Sequence, residues 1–140
     1  MSGIEDLYSE EILTLVKEPF QFKKMENASV QFTAYNPICG DKFTFYLLIN
    51  QNIVQDASFY GFGCALSKAS SSVLTSIILG KTISEIEVLV KEFLLGISMG
   101  ELSKDYQLFS PVKNFPERID CVKLGWAETE TQIKTGNLFQ

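Results

Sequence analysis

Three β-prone runs follow one another between Val30 and Tyr60, and from Cys64 onward the apolar residues recur at helical spacing. That order narrows the fold more than any other feature of the chain. Consecutive strands joined by short turns pair as an antiparallel meander, and a block of strands followed by a block of helices builds an α+β domain with helices laid on one sheet face. Val30 to Tyr35 alternates loosely. Phe43 to Ile49 (FTFYLLI) is rich in aromatic and aliphatic strand formers. Asn50-Gln51-Asn52 reads as a turn, and Ile53 to Tyr60 as the third strand. The expected fold class is therefore α+β, with a small antiparallel three-stranded sheet and helices packed on it.

The helices are read from apolar spacing and caps. Leu7, Tyr8, Ile12, Leu15 and Val16 give an amphipathic helix over Glu5 to Lys17, closed by Pro19. Leu66, Ala69, Val73 and Ile77 mark a helix after Cys64 that stops at Gly80. Thr82 and Glu85 form a capping box for the next helix, which buries Ile86, Leu89, Val90, Phe93 and Leu94. Gly96 to Lys113 reads as irregular. Asn114 and Glu117, with Pro116 in the first turn, look like a second capping box for a last helix reaching about Gln132. A length of 140 residues suits one compact domain, placed at 1–133, with 134–140 as a polar, frayed tail. Phe43, Phe45, Tyr60 and Phe62 are read as core.

Composition removes several functions. The chain has no histidine, which excludes Ser-His-Asp and Cys-His catalysis and any metal site that needs imidazole. A net charge of -5 without a Lys/Arg cluster argues against nucleic acid and anionic membranes as partners. No apolar run has the length of a bilayer span, and the opening MSGIEDLYSEE lacks the basic residues of a signal peptide. The expected location is cytoplasmic. Three cysteines in a reducing compartment point to ligands or reactive groups rather than disulfides.

Those cysteines sit at structural boundaries. Cys39-Gly40-Asp41 lies in a turn between two strands, where Gly40 lets the backbone bend and where a thiolate and a carboxylate can face one point; a turn-capping Asp beside a plain cysteine is the simpler alternative. Gly61-Phe62-Gly63-Cys64 carries the chain from strand to helix, and a helix start stabilises a thiolate; a small residue filling a corner explains it equally well. Cys121 falls in the second turn of the last helix, with Arg118 one turn earlier and able to lower its pKa by charge; a core cysteine beside Ile119, Leu124 and Trp126 fits as well. If the three converge with Asp41, they supply three soft ligands and one hard oxygen, enough for tetrahedral zinc or for an iron–sulfur cluster.

At these residues the sequence resembles the U-type iron–sulfur cluster assembly proteins: IscU, the N-terminal domain of NifU and, most of all, the SufU branch. The resemblance is carried by NPICGD (Asn36 to Asp41), ASFYGFGCALSKASSS (Ala57 to Ser72) and FPERIDCVKLGW (Phe115 to Trp126), and it extends over nearly the whole chain. Two features favour SufU. The Leu-Pro-Pro-Val-Lys chaperone signal of IscU-type proteins is replaced by Asn114 to Arg118, and the stretch from Gly96 to Asn114 is longer than theirs. IscU-type proteins also carry His before the third cysteine, where this chain has Asp120.

The resemblance implies zinc held by Cys39, Asp41, Cys64 and Cys121. It implies Cys39 as acceptor of persulfide sulfur from a PLP-dependent, SufS-type cysteine desulfurase. Beside that, the position of Arg118 is read as one that helps accommodate the acceptor thiolate. The chain would then be a sulfurtransferase-like acceptor rather than a stand-alone hydrolase. The alternative it implies is a scaffold that assembles a [2Fe–2S] cluster on Cys39, Cys64 and Cys121 and passes it to apo iron–sulfur proteins or a downstream scaffold.

Overall fold

A computed structural model describes residues 7–99 and 101–139. In chain order the elements are α1 (Glu10–Lys17), β1 (Val30–Asn36), β2 (Asp41–Asn50), β3 (Ile53–Phe62), α2 (Ala65–Ile78), α3 (Ile83–Met99), a 3-10 segment (Lys104–Asn114) and α4 (Pro116–Lys134). The three strands form one antiparallel sheet in the order β1-β2-β3. The α+β class and the meander are as the sequence implies.

Period-two burial fixes which face of the sheet is covered. Along β2, Asp41, Phe43, Phe45, Leu47 and Ile49 are buried and the residues between them are not. Phe32, Ala34, Ala57 and Phe59 join them, and the helices close over this layer to make a single apolar core. Gly125 of α4 lies against the Phe45 ring, so the last helix approaches the sheet closely. The β2–β3 turn carries positive φ at Gln51 and Asn52, 53° and 60°, the left-handed pair that suits a tight two-residue hairpin. The free edge of β3 is covered: Lys23 donates its N–H to Phe59 O at 2.9 Å, and Phe59 donates to Gln21 O at 3.1 Å.

Several boundaries differ from expectation. The helix read over Glu5 to Lys17 is interrupted: Leu7 is helical, and a helix starts afresh at Glu10, where the Ser9 hydroxyl accepts the Ile12 N–H and caps it; Glu5 and Asp6 lie outside the described residues. The Thr82–Glu85 capping box forms with both of its hydrogen bonds. The Asn114–Glu117 box does not. Phe115 is the cap residue, it makes no side-chain cap bond, and Pro116 at the first helical position needs no N–H partner. Gly96 does not stop α3. It is buried inside that helix because Glu101 O and Leu102 pack where a side chain would stand. The stretch read as irregular winds into 3-10 turns, burying Tyr106, Phe109 and Val112 at the three-residue period of that helix. The tail is not frayed at Leu138, which is fully buried. Tyr60 and Phe62 are exposed rather than core, because they point to the uncovered sheet face.

A candidate thiolate and carboxylate metal centre

Asp41 is the first residue of β2 and falls in phase with the inward-facing Phe43, so a carboxylate enters the edge of the core at 1% exposure. The turn before it is built by Asn36, whose side chain accepts the Ile38 N–H at 3.1 Å and whose carbonyl accepts the Gly40 N–H at 2.8 Å. Gly40 takes φ 76°, a left-handed conformation suited to glycine. The turn leaves Cys39 exposed at its tip.

Cys64 is the cap residue of α2. Its Sγ accepts the Ser67 N–H at 3.4 Å and lies 3.5 Å from the Ser67 hydroxyl, taking the place a Ser or Asp oxygen usually fills. Its backbone N–H donates to Asp41 Oδ1 at 2.8 Å, and its Sγ lies 3.8 Å from Asp41 Oδ2. Gly63 is required here: a Cβ at that position would lie 2.7 Å from both Phe43 Cε2 and Ser67 Oγ, and 2.8 Å from Asp41 Oδ1.

Cys121 is buried in α4, with its Sγ 3.9 Å from Cys39 Sγ. Helix α4 is pinned to α2 at the next residue. Ser70 donates its hydroxyl to Val122 O and accepts the Trp126 indole N–H at 2.8 Å.

Electrostatics divides the two inner sulfurs. Interaction with the Cys121 thiol, together with the Ser67 hydroxyl and N–H, lowers the Cys64 pKa to about 6 against burial and the Asp41 charge. Cys121 is pushed up, first by its interaction with the Cys64 sulfur and then by burial and the nearby negative charge. The expectation that Arg118 lowers the Cys121 pKa therefore fails. Arg118 is half-buried, and among the described residues its guanidinium makes no hydrogen bond or ion pair.

The ligand atoms of Cys39, Asp41 and Cys121 all lie within 4.8 Å of one another. Cys64 stands outside that set and meets it through Asp41 Oδ2. A tetrahedral ion with Zn–S bonds near 2.3 Å spaces its sulfurs ~3.8 Å apart, close to the 3.9 Å between Cys39 and Cys121. The donor set thus fits zinc, and two or three thiolates also fit an iron–sulfur cluster. Of the five residues singled out from the sequence, Cys39, Asp41 and Cys121 form this cluster, Cys64 adjoins it through Asp41, and Arg118 makes no hydrogen bond or ion pair with it. Ser67 was missed, although its hydroxyl three residues after a helix-starting cysteine was the available signal. No helix among the described residues is long and apolar enough to cross a membrane.

Comparison with known proteins agrees with this geometry. Residues 7–135 match the family described as NifU-like N terminal domain. The iron–sulfur cluster assembly scaffold protein IscU of Thermotoga maritima is 35% identical over 133 residues, spanning 91% of this chain and 93% of its own. The zinc-dependent sulfurtransferase SufU of Bacillus subtilis is 32% identical over 141 residues, spanning 94% of this chain and 92% of its own. A crystal structure of a putative iron–sulfur cluster assembly scaffold protein for the SUF system from Fervidobacterium islandicum superposes with a TM-score of 0.81 at 34% identity, covering 92% of this chain and 98% of that one. With Cys39, Asp41, Cys64 and Cys121 gathered at one end of this fold, the chain belongs to the NifU-like N-terminal domain family of iron–sulfur cluster assembly proteins, alongside IscU and SufU.

Proposed function

We propose that this protein is a zinc-bound sulfur acceptor that takes persulfide sulfur from a PLP-dependent cysteine desulfurase in iron–sulfur cluster assembly. One observation carries the reading: an exposed thiol, Cys39, and a buried thiol, Cys121, share a carboxylate, Asp41, within 4.8 Å. Exposure gives Cys39 access to a partner, while Asp41 and Cys121 hold their donor atoms inside the fold. Asp120 is exposed and stands where IscU-type scaffolds carry histidine, which favours the acceptor over the scaffold. Zinc, when bound, would be held by Cys39, Asp41, Cys64 and Cys121 and would keep the sulfurs as thiolates near neutral pH.

The residues divide the work. Cys39 thiolate attacks the terminal sulfur of the donor's cysteine persulfide. A new S–S bond forms on Cys39, the donor's own S–S bond breaks, and its electron pair leaves on the donor thiolate. Cys64 is held in place by the Ser67 N–H, and Cys121 is held by the docking of α4. A reducing, cytoplasmic setting suits three free thiols, and the sulfur would pass on to a downstream scaffold or an apo iron–sulfur protein.

The test is to purify the protein without added metal, measure zinc, and mix it with a SufS-type desulfurase and cysteine. Stoichiometric zinc and a persulfide located on Cys39 by mass spectrometry support the reading. Iron and sulfide in place of zinc, or full desulfurase stimulation by Cys39→Ala, would sink it. The 35%-identical relative named as a scaffold supports the second reading, a [2Fe–2S] scaffold; visible absorbance after anaerobic reconstitution, followed by transfer to an apo-ferredoxin, is its signature.

A further inference from the structure

The sheet face turned away from the helices carries an aromatic patch at the end where Cys39 and Cys64 lie. Tyr35, Lys42 and Phe62 are register partners across β1, β2 and β3, so their side chains stand in one row on that face. Phe62 is 65% exposed and Tyr35 58%, and Ile38, next to Cys39, is 93% exposed. Beside the row, Tyr60 meets Phe22 with ring centroids 4.9 Å apart. Lys24 Nζ lies 5.5 Å from the Tyr60 ring centre, and Lys68 Nζ lies 4.5 Å from that of Phe22. Lys68 is one turn after Cys64 in α2, so the patch reaches the metal centre.

The charge here opposes that of the chain. The net charge is -5, and the ion pairs among the described residues are Lys91–Glu87 and Lys134–Glu130. Lys24, Lys42 and Lys68 pair with no carboxylate of the described residues: Lys24 lies over exposed Tyr60, Lys42 stands in the row between Tyr35 and Phe62, and Lys68 lies over half-buried Phe22 beside Tyr60. Aromatic side chains inside a charged rim are the composition of a protein–protein contact. A long polyanion needs a larger basic field than three lysines on an acidic chain can supply.

We infer that Lys24, Lys42 and Lys68, with Tyr35, Tyr60 and Phe62, form the docking surface for an acidic protein face that presents carboxylates around an apolar contact. On the sulfur-acceptor reading, on which this rests, that face belongs to the desulfurase: its carboxylates meet the lysines and its persulfide-bearing segment reaches Cys39.

The experiment measures binding of the full-length, metal-loaded protein to a SufS-type desulfurase at low and at physiological salt. It compares wild type, Lys24→Glu/Lys68→Glu, Lys42→Glu, and the charge-matched control Lys91→Glu/Lys134→Glu. The expected result is about tenfold weaker binding and a shallower salt dependence for Lys24→Glu/Lys68→Glu, a smaller loss for Lys42→Glu, and wild-type behaviour for the control. Lys42 is exposed on a strand, so its variant reports even if Lys68→Glu disturbs packing on Phe22. Wild-type affinity in both patch variants, or equal weakening by patch and control variants, overturns the docking surface and leaves the acceptor reading standing. Patch variants that lose only attraction to phosphatidylserine vesicles, with desulfurase binding unchanged, overturn it in favour of a membrane contact. A wild-type protein that does not bind the desulfurase overturns both.

Discussion

Asp41 Oδ1 accepts the backbone N–H of Cys64 at 2.8 Å, so the first residue of β2 is tied to the cap of α2 across 23 residues of chain. One carboxylate thereby has two tasks: Oδ1 holds the strand-to-helix elbow, and Oδ2 faces the Cys64 sulfur. Asp41→Asn separates them. The amide oxygen still accepts the N–H, while the charge and the second acceptor oxygen are lost. The variant should fold with a melting temperature near that of wild type and bind zinc at least about tenfold more weakly, as read by competition with a chromogenic chelator. Wild-type zinc affinity would show that Asp41 is purely structural.

Gly63→Ala and Gly40→Ala should differ in kind. A Cβ on Gly63 would press on Phe43, Ser67 and Asp41 at 2.7 to 2.8 Å, an overpacking that costs about 1–3 kcal/mol and displaces the site. A Cβ on Gly40 meets nothing within 4 Å, and only its φ of +76° opposes the change, costing about 1–2 kcal/mol. Urea denaturation gives both losses. Zinc affinity should fall clearly for Gly63→Ala and little for Gly40→Ala.

The two inner cysteines give metal-free protein a pH signature. Cys64, with its pKa lowered to about 6, favours folding as the thiolate. Its contribution is complete above the ordinary thiol pKa and is lost as pH falls through about 6. Cys121 is raised, so its contribution is present below the ordinary thiol pKa and is lost as pH rises above it. Stability of the metal-free protein should therefore climb from about pH 6 to about pH 8.5 and then decline. Urea midpoints measured across that range test this, and Cys64→Ala should flatten the rising limb.

Ser70→Ala should cost about 1–3 kcal/mol, because it leaves the buried Trp126 indole N–H without its acceptor. Trp126 is the single tryptophan of the chain, so its fluorescence follows unfolding of this variant directly. A loss well below that range would mean that a water replaces the hydroxyl.

The legible parts of this fold were those written locally. The β-prone run from Phe43 to Ile49, the Asn50 to Asn52 turn and the Thr82–Glu85 box each depend on neighbours within a few residues, and each is in the structure as read. Where long-range packing decides, the reading failed. Gly96 opens the stretch read as irregular and is instead a contact glycine inside α3, because Glu101 folds back onto it. Leu138 looks like part of a polar tail and is buried. The four site residues were legible as a set of motifs, but spacing could not show that Cys121 is buried while Cys39 is exposed, since that depends on how α4 docks. The period of three in Tyr106, Phe109 and Val112 was present in the sequence and went unused.

Cys39 and Cys121 are 82 residues apart in sequence and 3.9 Å apart in space. An ion held by both is a cross-link that closes most of the chain into a loop. By the chain-entropy measure used for disulfides, a closure of that span restrains the unfolded state by roughly 4–5 kcal/mol. The final ligand also arrives on the last α-helix among the described residues, so a nascent chain cannot complete the centre until Cys121 has been synthesised and α4 has docked. On the zinc-bound reading, metal capture marks a finished fold, and a chain shortened before Cys121 would hold the ion loosely and forfeit the cross-link.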